Sequence, residues 1–168
     1  MLLEIREARA ADAVNVRRVV ESAFGRADEA NLVEQLAEDN LGIVSLVAID
    51  EGRIVGHAMF SRVWIGDMPV SVVASLAPVS VLPDRQRQGI GSALILRGIE
   101  NCRKTAWPAV IVVGHTAYYP RFGFSSAAVA HLDSPYAGEH FMGLDLRPGF
   151  LAKLKGRVRY PAAFDLLK

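Results

Sequence analysis

The sequence predicts a mixed α/β chain, α+β or α/β in class, with a central mixed sheet and helices on its faces. Three observations point there. Stretches of period two alternate along the chain with stretches of period 3.6. Ala109 to Val113 is a continuous apolar run of the kind buried on both faces of a sheet. A strand-like segment ending at Val81 passes through a two-glycine loop straight into an amphipathic helix.

Leu3 and Ile5, alternating with charged residues, make the first strand. Asp12 opens a helix whose apolar positions Val16, Val19, Val20, Ala23 and Phe24 share one face, and Gly25 ends it. A second helix from Asp28 to Asp39 turns Leu32, Val33, Leu36 and Ala37 inward and Glu29, Glu34 and Glu38 outward, with its stop at Asn40 to Gly42. Ile43 to Ile49 and Ile54 to Ile65 are rich in β-branched and aromatic residues, and Asp50-Glu51-Gly52 between them is a hairpin turn. Val70 to Val81 is the next strand. Ile90, Leu94, Gly98, Ile99 and Cys102 recur at helical spacing, which predicts a helix over Gly91 to Lys104. After Ala109 to Val113 come a short aromatic helix near Ala117 to Phe122, strands around Phe124 and over Phe141 to Leu146, and a tail with a short helix and a strand at Val158 to Tyr160.

At 168 residues the chain reads as one domain over 1–168, with a core of 3–147 and a C-terminal extension of 148–168. A net charge of +1 gives no global attraction for nucleic acid or an anionic membrane. No apolar run reaches the roughly 18 residues of a membrane span. Glu4, Arg6, Glu7 and Arg9 interrupt the start long before a signal-peptide core is reached. Cys102 is the single cysteine, which excludes an internal disulfide and fits a reducing, cytoplasmic setting. His57, His115, His131 and His140 are scattered with no local pair, so no metal site is expected. His57 reads as a satisfied core residue, and Trp64 and Trp107 as packing residues.

The chemistry concentrates where Val79-Ser80-Val81 feeds Asp84-Arg85-Gln86-Arg87-Gln88-Gly89-Ile90-Gly91-Ser92. A helix that starts directly after such a loop aims several unpaired N–H groups and roughly +0.5 of dipole charge at one spot, an anion site. Gly89 and Gly91 leave room for phosphate oxygens to approach the backbone. A dinucleotide fold is disfavoured, because the third glycine of G-x-G-x-x-G is replaced within Ser92-Ala93-Leu94.

Gln86-Arg87-Gln88-Gly89-Ile90-Gly91 resembles the Q/R-x-x-G-x-G/A pyrophosphate loop of the GNAT superfamily of acyl-CoA-dependent N-acetyltransferases. Ala117-Tyr118-Tyr119-Pro120-Arg121-Phe122-Gly123-Phe124 is similar to that superfamily's aromatic segment. The likeness covers roughly Leu3 to Phe124. Ala23-Phe24, Glu29, Leu32-Val33, Gly56-His57, Tyr160-Pro161 and Phe164 resemble more narrowly its YhbS-like branch.

The resemblance implies a GNAT-type fold whose middle strands splay apart, with acetyl-CoA as cosubstrate and an amine-bearing small molecule or peptide as acceptor. Pro78 fits it independently, since proline in a buried strand is tolerated at a bulge or where a neighbour is lost. The implied cofactor residues are Val79, Ser80 and Val81 on the strand, and Arg87, Gln88, Gly89, Ile90, Gly91 and Ser92 on the loop. Arg85, Arg87 and Arg121 are candidates for the 3′-phosphate of CoA. Tyr119 matches the tyrosine that protonates the departing thiolate, and Tyr118 matches a packing position. The sequence departs from the better-known pattern in the strand Val72–Val81, which offers Ser75 and Ser80 where many members carry a glutamate. Glu29, Glu34 and His115 are then the candidate bases. The acceptor cleft is expected between the first two helices, the strand pair before Pro69 and the loop Ser125 to His140. A homodimer is compatible with this reading. Two alternatives stay open: a non-catalytic acyl-CoA-binding or regulatory module on the same fold, and a nucleotide-binding protein.

Overall fold

A computed structural model describes residues 2–167. They form a seven-stranded sheet in the order β1-β2-β3-β4-β5-β6, with β7 paired to β3 off that path. β1 (Leu3–Glu7) leads into α1 (Ala13–Phe24) and α2 (Asp28–Glu38). β2 (Gly42–Asp50), β3 (Arg53–Ile65) and β4 (Val73–Val81) follow as an antiparallel meander. α3 (Ile90–Lys104) crosses over to β5 (Ala109–Val113), which runs parallel to β4. β6 (Phe141–Asp145) returns antiparallel to β5, and β7 (Val158–Arg159) pairs with the end of β3 at Trp64 and Ile65.

The pleat assigns the two faces. Gly56 of β3 turns toward Ile90 and Leu94 of α3. Its neighbour His57 therefore points the other way, and it lines a space walled by Val16 and Val20 of α1 and Ala30 and Val33 of α2. The main core fills both layers, and Ala163 and Phe164 of the tail belong to it. A second cluster, including Ile65, Ile111, Phe141, Leu151 and Val158, closes the far end of the sheet.

Three local expectations are corrected. The aromatic segment is a single 3-10 turn, Tyr119–Phe122, because Pro120 sits in its first turn and left-handed Gly123 (φ 97°) stops it. No strand forms at Phe124; Ser125 makes an isolated bridge to Gly143. Phe24 is 42% exposed, because it lies in the last turn of α1 while the buried stripe is Val16, Val19 and Val20.

His57 is only half satisfied. One ring nitrogen, Nε2, lies 2.9 Å from Ser45 Oγ, while buried Nδ1 has no partner. Burial pulls its pKa down to about 4, so the ring is neutral in the fold. Unfolded histidine titrates near 6.5, so the unfolded state binds more protons between those values. Stability from this group is complete above pH 6.5 and is lost as pH falls, about 3 kcal/mol by pH 4. Asp12, held down to about 2 by its hydrogen bonds from Arg6 and from the backbone of Arg9, adds its loss only at lower pH. Urea unfolding at pH 7 and pH 4.5 should show this decline, and His57→Gln should lose most of it. An unchanged decline in the variant would assign acid sensitivity to other groups.

Candidate active site

β4 and β5 pair from Val73 with Ala109 to Leu76 with Val112, and there the ladder stops. Beyond Leu76, β4 keeps β3 on one side only, and the register slips at a bulge between Ala58 and Phe60, opposite Pro78. Proline is at home there, since it has no N–H to leave unpaired. The direction of the free backbone groups follows from one bond: Leu82 N–H donates to Val55 O at 3.0 Å, so Leu82 faces β3. By strand alternation Val79 and Val81 turn their N–H and C=O groups to the open edge. Val81 O accepts from Gln86 Nε2 at 3.1 Å, which agrees.

The same alternation separates Ser80 from its neighbours. Ser80 is in register with His57, and its hydroxyl is buried without a partner. Neither its backbone nor its side chain is presented to the open edge.

The open edge leads to the loop. Gly89 takes φ 84° as the residue before α3, a conformation that strains any side chain, and Arg87 is also left-handed at 62°. Ala93 N–H makes a helical bond to Gly89 O, so the amides of Ile90, Gly91 and Ser92 before it have no partner within the helix. A Cβ on Gly91 would stand 3.5 Å from Tyr118 Oη, 3.7 Å from Val81 and 3.9 Å from Val79, so strand edge, loop and aromatic turn meet at this point.

The two adjacent tyrosines do different things. Tyr118 brings its hydroxyl 2.9 Å from Ser92 Oγ in the first turn of α3, and the Arg121 guanidinium lies over its ring at 4.8 Å. It is therefore a polar member of the loop region as well as a packing residue. The sequence signal for this was the Tyr118-Tyr119 doublet, but a 3-10 turn sets neighbouring side chains at angles that helical spacing does not anticipate. Tyr119 packs edge-on against Phe124 (5.9 Å) and over Gly114, the residue that follows β5. Burial, with a smaller contribution from Tyr118, pushes its hydroxyl up to about 12.

The basic and acidic candidates are partly committed elsewhere. Arg85 is ion-paired with Asp50, whereas Arg87 is exposed. Glu29, expected on the outer face of α2, is instead buried and held by Arg26 at 2.9 and 2.5 Å, and Glu34 pairs with Arg17 at 2.7 Å. His115 is exposed, and its carbonyl accepts from Tyr118 and Tyr119 N–H. On the other side of the opened strands lies a cleft of about 830 Å³. Its floor is Ser75, Leu76, Ala77 and Val113; its walls are Pro135 and Tyr136 together with tail residues Arg157, Tyr160 and Phe164. The expected cleft, built from the first two helices, the strand pair before Pro69 and the loop Ser125 to His140, left out the tail, which supplies much of this lining.

An acetyltransferase (GNAT) domain profile matches residues 4–127. The chain belongs to the GNAT acetyltransferase family. Among GNAT relatives, it is 42% identical to the uncharacterized N-acetyltransferase YjhQ of Escherichia coli over 120 residues, 70% of this chain and 66%, just under two thirds, of YjhQ. It is similar to YhbS of E. coli, whose crystal structure in complex with CoA superposes with a TM-score of 0.89 at 29% identity, covering 97% of this chain and 92% of that one. A GNAT family acetyltransferase from Brucella melitensis, solved in complex with acetyl-CoA, gives a TM-score of 0.83 at 34% identity over 98% of this chain and 99% of that one. These likenesses support the YhbS-like branch.

Proposed function

We propose that this protein moves the acetyl group of acetyl-CoA to the amine of an acceptor by direct attack, within a site bounded by the β4 edge, the Arg87–Ser92 loop and Tyr119. The observation that carries the reading is the continuity of that edge with the amides that open α3. Val79 and Val81 offer backbone donors and acceptors at a two-residue repeat, the pattern an extended amide chain such as pantetheine pairs with. The loop amides and the dipole of α3 receive its pyrophosphate, with Arg87 and Arg121 nearby. The CoA and acetyl-CoA held by the YhbS and Brucella proteins support this reading.

The reaction needs a neutral amine. At pH 7 an ordinary ammonium of pKa about 10.4 costs roughly 4.6 kcal/mol to deprotonate, and no carboxylate sits on the β4 floor to assist. Water therefore takes the amine proton. The nitrogen lone pair attacks the thioester carbon, polarised by a β4 N–H; the C–N bond forms, the C–S bond breaks, and sulfur leaves with the electron pair. Tyr119 supplies the proton that makes it a thiol, the newly acylated nitrogen gives up its second proton to water to become a neutral amide, and solvent restores Tyr119. A hydroxyl pushed up to about 12 by burial is a poor acid toward a solvated thiolate near 8.5, so this step draws on burial of the leaving sulfur, which raises the pKa of a thiol in the same direction.

We place the reaction in the cytoplasm and read the chain as one domain, because the tail contributes both to the main core and to the cleft. No helix among the described residues is long and apolar enough to cross a membrane. The direct test is CoA release across amine classes, with mass spectrometry of the products; binding of acetyl-CoA with no acetylated product from any amine would overturn the reading.

Gly89→Val tests the cofactor half separately. Nothing lies within 4 Å of a Cβ built on Gly89, so the folded protein has room for the side chain. The cost falls on the loop, which cannot keep φ 84° with a β-branched residue, and on the phosphate path. CoA affinity by calorimetry should fall at least tenfold, about 1.4 kcal/mol. Equal affinity in a folded variant would place the pyrophosphate elsewhere.

A further inference from the structure

We propose, resting on the acetyltransferase reading, that the acceptor is a small amine with an apolar body and a carboxylate, and that Arg157 and Arg159 hold the carboxylate on the tail side of the cleft. The charge balance of the cleft lining is the starting point. Arg26 lines it too, but its charge is taken up by two carboxylates outside the lining, Asp28 at 3.3 Å and Glu29 at 2.5 Å. Arg157 and Arg159 are different. They flank Val158, whose side chain is 1% exposed in the second core cluster, so strand alternation turns both arginines to the opposite side. Both line the cleft.

Arg159 donates through Nε to Gly66 O at 2.8 Å and through a terminal nitrogen to Met68 O at 3.0 Å. Neutral carbonyls fix its position and leave its charge uncompensated. Among the described residues no carboxylate lies within ion-pair distance of either arginine. Asp165 is the carboxylate in the lining, and it faces Tyr136. The lining thus presents two arginines, one of them held in place and the other exposed, to one carboxylate, set among low-polarity walls that strengthen their field.

Those walls describe the rest of the acceptor. Tyr136 and Tyr160 meet edge to face at 5.1 Å, and Tyr160 and Phe164 lie at 4.9 Å, beside Pro135 and Pro161. The floor, Ser75, Leu76 and Ala77, carries no charge that would attract an ammonium group. Orientation therefore comes from the charged walls, where Arg157 and Arg159 stand with Asp165. An anchored carboxylate supplies it, since an arginine fork reads the planar carboxylate in two hydrogen bonds, and remote binding of this kind serves to place the amine at the opened strands.

The test uses matched aromatic amines, 4-(aminomethyl)benzoate with its carboxamide and L-phenylalanine with its amide. Calorimetry on the full-length protein saturated with CoA gives binding, and CoA release gives turnover. At least one carboxylate should bind ten or more times more tightly than its amide partner, and the preference in turnover should lie in KM. In Arg157→Gln the ratio should collapse to within threefold, with Arg157→Lys intermediate because it keeps the charge and loses the fork. Arg159→Gln is measured second, since its anchor to the 66–68 loop also supports the fold; a thermal melt reports that separately. Equal binding of carboxylates and amides, no binding of either, or an unchanged ratio in a folded Arg157→Gln protein would overturn the proposal. Failure of the acetyltransferase reading looks different: acetyl-CoA itself would not bind, or no amine would be acetylated, whichever member of a pair binds better.

Discussion

Tyr119→Phe should lower kcat by 10²–10⁴-fold, about 3–5 kcal/mol of transition-state stabilisation, while CoA affinity stays within a few-fold of wild type. The hydroxyl is needed only once charge develops on sulfur, so its loss falls on turnover and not on ground-state binding. The ring contacts with Phe124 and Tyr118 survive the substitution, which keeps the fold. Tyr118→Phe is the informative partner. It removes a hydroxyl 2.9 Å from Ser92 Oγ, so its effect should appear in CoA affinity and leave kcat within threefold. An acyl donor with a more acidic thiol should shrink the Tyr119 effect. Because Tyr119 titrates near 12, the wild type should show no loss of rate from its ionisation below about pH 11. Turnover of Tyr119→Phe within threefold of wild type, under chemistry-limited conditions, would assign the proton to water.

Gly114→Ala should cost about 10²-fold in kcat without touching the hydroxyl. A Cβ on Gly114 would stand 2.2 Å from Tyr119 Cε2 and 2.7 Å from Cδ2, so the ring must move by about an ångström or more. Misplacement on that scale is enough to remove roughly two powers of ten from a positioned proton transfer. The double variant Gly114→Ala, Tyr119→Phe should be little slower than Tyr119→Phe alone, because the misplaced group is already gone. Additive losses would mean that the alanine acts on β5 and not through the tyrosine.

Much of the geometry of the proposed cofactor half, the loop, the helix start and the opened strand, was legible from short-range pattern. Gly89 and Gly91 stand out because a loop entering a helix needs a left-handed residue and close approach, and both demands are local. Pro78 likewise signals a bulge through its missing N–H. The acceptor half was not legible in the same way. Arg157, Tyr160 and Phe164 come to the cleft through long-range pairing of β7 with β3 and packing of the last turn on α2, and no window of sequence contains both partners. The alternation Arg157-Val158-Arg159 hinted at a strand with one buried side, but not at what its exposed side would face. Ser80 shows the limit from another direction: the resemblance implied a cofactor role for it beside Val79 and Val81, and the pleat sends its side chain to the opposite face.

The separation of β4 from β5 after Leu76 and Val112 would also make a cosubstrate bound there a folding ligand. An empty seam leaves unpaired strand edges inside the protein's own sheet, and such edges are templates for pairing with another chain. In the proposed binding mode a pantetheine arm fills the seam as a surrogate strand. At a free concentration one hundred times its Kd, this adds about 2.7 kcal/mol to stability, a large share of the margin by which a domain of this size stays folded. With the cosubstrate bound as proposed, resistance to aggregation and proteolysis should rise with the concentration of acetyl-CoA, and a shortage of the acyl donor should expose the protein as well as slow its reaction.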